Sequence, residues 1–135
     1  MSFKYYLFDL DNCILHFINS EKYFDNLFAD TLEYFLGFIP KSEERRKAWY
    51  SDDINQYIHR KWSINKSNEF WQYFKTLDIK KRQEFIEKGN IFFDKSALSV
   101  ISTLRKKKNK IALVTNSPKY IVQLLNQNFS FYKSF

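Results

Sequence analysis

Two short runs of unbroken apolar residues, each cut off by a polar turn, do most to limit how this chain can fold. The first runs from Lys4 to Phe8, is rich in aromatics, and stops at Asp9, Asp11 and Asn12. The second, Ile111-Ala112-Leu113-Val114, stops at Thr115-Asn116. Neither run alternates apolar with polar positions, as expected of strands buried on both faces in a parallel sheet. The chain therefore reads as α/β.

The stretch between the runs has a different period. Phe24, Leu27, Phe28 and Phe35 keep helical spacing, and Gly37 with Pro40 supplies a stop. Ser42 is placed to cap a second helix, with Glu43 and Glu44 near its positive end. Ile54, Tyr57, Ile58 and Trp62 form the next apolar stripe, after a capping Asp52-Asp53 pair. Phe70, Phe74 and Leu77 form another, and Asp78 is placed to cap a last helix ending near Gly89. Residues 17–92 thus read as an all-helical insertion. Beyond it, Ala97, Val100, Ile101 and Leu104 mark one helix face, and Arg105 to Lys110 make a charged exit that suits the helix dipole. After the second strand, Ser117 is placed to cap a helix with Pro118 at its first position and Ile121, Leu124 and Leu125 inward.

Composition narrows the setting. Hydrophobic residues are 44% of the 135, enough for a core, and no apolar run reaches the length of a membrane span. The N-terminus lacks a secretory pattern, and a lone cysteine, Cys13, excludes an internal disulfide framework. A cytoplasmic setting is the default expectation. A net charge of +7 favours anionic partners, either a phosphorylated metabolite or nucleic acid. The basic residues are scattered and form no nucleic-acid-binding motif, so nucleic acid ranks last.

The strand ends carry the chemistry. In a parallel sheet the carboxyl ends of the strands form the ligand crevice. Asp9 and Asp11 there would repel each other, and a bound cation relieves that repulsion. Oxygen ligands suit Mg²⁺, which combines few carboxylates with phosphate and water. Thr115, Asn116 and the start of the following helix offer a hydroxyl and backbone N–H groups to an anion. One strand thus offers acid and metal, and the other a phosphate cradle. Taken alone, each element also has a plainer reading as a turn or cap. His16 and His59 have no ligand spacing and read as packing or surface residues. Cys13 reads as a small buried residue, and Trp49, Trp62 and Trp71 as mostly core.

Tyr5-Tyr6-Leu7-Phe8-Asp9-Leu10-Asp11-Asn12 resembles the first motif of the haloacid-dehalogenase-like hydrolases, and Ile111 to Pro118 resembles their second. The resemblance implies a Rossmann-like parallel core, partial here, formed by residues 1–16 and 93–135, with a helical cap of the first type at 17–92. It implies that Asp9 attacks phosphorus to form an aspartyl-phosphate and that Asp11 is the general acid and base. Mg²⁺ would meet the Asp9 side chain and the Asp11 backbone carbonyl, while Thr115 and the Asn116 amide hold phosphoryl oxygens. An acid at position 11 favours phosphate chemistry over dehalogenation. Cys13 stands where the family usually has Thr or Val. The family's later lysine and second acidic pair have no counterpart before Phe135. The expectation is a fragment, a truncated copy or a chain completed by a partner: a phosphatase once those motifs are supplied, or else a catalytically incompetent remnant or interaction module.

Overall fold

A computed structural model describes residues 4–135 and shows a helix-rich α/β fold with a small parallel sheet. Strand β1 (Tyr5–Asp9) and a second short strand, β2 (Leu15–Phe17), open the chain. Four helices follow: α1 (Ser20–Leu36), α2 (Ser42–Trp49), α3 (Ile54–Trp62) and α4 (Ser67–Glu87). Then come β3 (Ile91–Phe93), α5 (Lys95–Lys106), β4 (Lys110–Val114), α6 (Lys119–Phe129) and a 3-10 turn, Phe131–Ser134. The chain divides into two compact units, one of the segments up to Ile18 and from Arg82 to Phe135, the other Asn19–Lys81.

In the first unit β1 pairs with β4 in parallel, Tyr5 opposite Lys110 through Asp9 opposite Val114. A second, antiparallel ribbon pairs β2 with β3, Leu15 opposite Phe93 and Phe17 opposite Ile91. The sequence reading missed this ribbon and placed Phe17 and 91–92 in the helical insertion, because three-residue strands are too short to show a period. The core gathers Leu10, Leu15, Ile91, Ile121, Leu125 and Phe131, with Phe93 packed between the rings of Phe129 and Phe131 at 4.9 and 5.1 Å. Expected burial of β1 and β4 on both faces is corrected. Tyr6, Phe8, Ile111 and Leu113 are partly covered, while Leu7 and Val114 on the other face are 73% and 55% exposed. A two-stranded sheet with helices packed on one side leaves its apolar alternates in water.

In the second unit the aromatics do the packing. Phe28 is buried against Trp49, Trp62 and Phe70, with ring centroids 5.3, 6.4 and 6.1 Å away. Arg45 ties α2 to α1 through a two-toothed grip on Asp25, at 2.9 and 2.5 Å, and donates also to the Pro40 carbonyl. Gly37 ends α1 in the left-handed region at φ 78°, as its position predicts. Two expected caps fail. Ser42 is the first residue of α2 and makes no capping bond. Asp78 begins no helix: it lies inside the continuous α4, buried, accepting a 2.6 Å hydrogen bond from the Tyr23 hydroxyl. Asp53 does cap α3, accepting from the Gln56 N–H at 3.0 Å. Among the described residues no helix is long and apolar enough to cross a membrane.

Candidate active site

Parallel pairing sets the tips of β1 and β4 side by side, with Asp9 opposite Val114 and Thr115 next along the chain. Asp9 is exposed at its strand end, and its Oδ1 accepts the Leu10 N–H at 2.7 Å. That bond engages one oxygen of the exposed carboxyl group. Leu10, wholly buried, anchors the turn that follows: Ile14 and Leu15 donate back to its carbonyl at 3.2 and 2.9 Å. Asn12 closes the turn in the left-handed region at φ 58°, a conformation asparagine tolerates better than most residues, and donates to the Leu15 carbonyl. Cys13, expected to be buried, is exposed in this turn, because Leu10 and Ile14 take the inward positions.

Across from Asp11 the second strand's loop is organised by its own hydrogen bonds. The Thr115 Oγ1 accepts the Ser117 N–H at 3.0 Å, and the Ser117 hydroxyl donates to Asp11 Oδ2 at 2.5 Å. The expectation that Ser117 caps the next helix is therefore corrected. Pro118 occupies the cap position, no side chain caps α6, and the serine hydroxyl reaches 106 residues back to the first motif instead. An uncapped helix start directs N–H groups and positive dipole at an anion. Asn116 is exposed between Thr115 and Ser117.

The structure thus joins Asp11, Ser117 and Thr115 through hydrogen bonds and brings Asp9 alongside by strand register. For a metal, the donors present are oxygens: the Asp9 carboxylate and the Asp11 backbone carbonyl. Among the described residues no cluster of three or more His, Cys, Asp or Glu could hold an ion. Oxygen donors are the type Mg²⁺ takes, and an ion held by these two alone would need water or phosphate oxygens to complete its shell.

A second polar pair joins the antiparallel ribbon to the start of α5, and the sequence did not signal it. The His16 Nε2 is 3.1 Å from Asp94 Oδ2. Asp94 also caps α5, accepting from the Ser96 and Ala97 N–H groups at 2.8 and 3.2 Å. The bond from Ala97, then those from His16 and Ser96, hold its carboxyl below the ordinary carboxylate value.

No family model matches the sequence, and no curated protein matches it. Solved structures do match. A family IA, variant 3 hydrolase of the haloacid-dehalogenase class from Entamoeba histolytica is 16% identical, with a TM-score of 0.67 over 99% of this chain and 58% of its own. A protein assigned as a phosphoglycolate phosphatase from Lactobacillus plantarum is 12% identical, with a TM-score of 0.60 over 100% of this chain and 60% of its own. A hydrolase of the same class from Deinococcus radiodurans, solved with bound phosphate and sodium, is 14% identical, with a TM-score of 0.51 over 98% and 55%. The chain therefore has the fold of the haloacid-dehalogenase-like hydrolases. It spans between 55% and 60% of the length of these structures.

Proposed function

We propose that this chain carries the nucleophile side of a Mg²⁺-dependent phosphohydrolase site, acting on a small phosphoester such as a nucleotide or sugar phosphate. The observation that carries this reading is the parallel register that sets Asp9 beside Val114, with the Ser117–Asp11 hydrogen bond joining the two strand tips. In the proposed reaction the free oxygen of Asp9 attacks phosphorus and the bond to the leaving oxygen breaks. Asp11 gives its proton to that leaving oxygen. It then takes a proton from water, which attacks the aspartyl-phosphate, releases phosphate and restores Asp9. Thr115 and the Asn116 amide are assigned to the non-reacting phosphoryl oxygens. Mg²⁺, held by the Asp9 carboxylate and the Asp11 carbonyl, would neutralise phosphate charge.

Asp9→Asn removes the nucleophile with little change in shape. Mg²⁺-dependent phosphate release from a panel of phosphoesters by the full protein is expected to fall by at least about a thousandfold. Turnover unchanged in the variant rejects the assignment. That the described residues hold no cluster of three or more His, Cys, Asp or Glu able to bind an ion is the observation behind a second reading, a non-catalytic remnant or interaction module of the same fold. Wild-type protein that is folded yet releases no phosphate at millimolar Mg²⁺ supports that reading instead.

A further inference from the structure

Asp11 has two oxygens, and the two are not equivalent. Oδ2 accepts the Ser117 hydroxyl at 2.5 Å, while Oδ1 accepts no hydrogen bond from the described residues. Ser117 is itself braced, since its N–H donates to Thr115 Oγ1 at 3.0 Å. All three residues are half-buried. Asp11 lies within the turn that follows β1 and not in a regular strand, and its backbone forms an isolated bridge to Leu15. Among the described residues, the Ser117 hydroxyl is the hydrogen-bond partner of its side chain.

We propose that Ser117 is a positioning residue for Asp11: its hydroxyl occupies Oδ2 and so fixes the rotamer of the Asp11 side chain. Its catalytic consequence rests on the phosphohydrolase reading above, but its structural part does not. Through the same residue the phosphate-binding loop and the acid–base group move as one piece, because Ser117 bonds Thr115 with its backbone and Asp11 with its side chain. No other residue between Thr115 and α6 has a hydroxyl that could do this.

The test uses Ser117→Ala and Ser117→Thr in the full protein, each checked for wild-type circular dichroism. Ser117→Ala keeps the backbone bond to Thr115, so the loop itself is retained. Side-chain scalar couplings in ¹³C,¹⁵N-aspartate-labelled protein report the χ1 rotamer of Asp11. A single rotamer is expected in the wild type and in Ser117→Thr, and averaging in Ser117→Ala. With p-nitrophenyl phosphate and Mg²⁺, Ser117→Ala is expected to lose between about ten- and a hundredfold in kcat with KM unchanged, and Ser117→Thr to recover most of it. Asp11 held in one rotamer in Ser117→Ala, or averaged already in the wild type, overturns the proposal. So does a kcat unmoved while the rotamer averages. If wild type and Asp9→Asn are equally inactive, the phosphohydrolase reading falls, and the couplings alone decide whether Ser117 holds Asp11.

Discussion

Asp94 stabilises two things with one carboxylate. It caps α5 through the Ala97 and Ser96 N–H groups and meets His16 on the facing strand. These partners favour its charged form and hold its carboxyl below the ordinary value of 3.8. A group whose pKa is depressed by folding contributes stability above its unfolded value and loses it as pH falls through the folded one. Stability is therefore expected to drop between about pH 4 and the lower folded value, where the unfolded chain takes up the proton first. Asp94→Asn, which can still accept from the helix, is expected to be less stable at neutral pH and flatter across that window. Urea midpoints at stepped pH check this, and equal slopes in the two proteins would remove Asp94 as the cause.

At the scale of elements, α4 shows how tertiary contact overrides a local signal. Asp78 is a good cap by type, yet it lies inside a 21-residue helix, where the Tyr23 hydroxyl reaches it from α1 at 2.6 Å. Tyr23→Phe removes that donor from a buried carboxylate and is expected to cost about 1–3 kcal/mol in chemical denaturation. A loss under about 0.3 kcal/mol would mean the bond contributes nothing net. Gly37 offers a contrast, because there the local signal and the structure agree. A Cβ at this position would meet nothing within 4 Å, so Gly37→Ala is opposed only by its φ of 78°. Its expected cost is about 1 kcal/mol, and Gly37→Asn, which tolerates this conformation better, should cost less.

Across the whole molecule, the chain's stability is unevenly shared between the two faces of the parallel sheet. Ile121 and Leu125 of α6 are buried with Leu10 and Phe131, whereas Leu7 is 73% exposed. Ile121→Ala is expected to destabilise by about 2–5 kcal/mol, and Leu7→Ala to stay within about 0.5 kcal/mol. Guanidinium melts of the two variants decide it. A large loss from Leu7→Ala would show that this face is covered in solution.

What could be read directly from the residues was whatever depends on near neighbours along the chain. The two apolar runs, the helical spacing of Leu27, Phe28 and Ile58, the Gly37 stop and the Asp53 cap all act within a few residues, so sequence order carries them. The acidic and Thr-Asn motifs were legible for the same reason: each is a short string at a strand end. Three features were not legible. The β2–β3 ribbon joins Phe17 to Ile91 with strands too short to show a period. One face of β1 and β4 stays open because burial is decided by what packs on it. Ser117 turns from its own helix to Asp11 because folding brought a carboxylate within 2.5 Å of its hydroxyl. Local geometry follows from the order of residues, but contacts across tens of residues exist only once the backbone has paid the entropy of bringing them together.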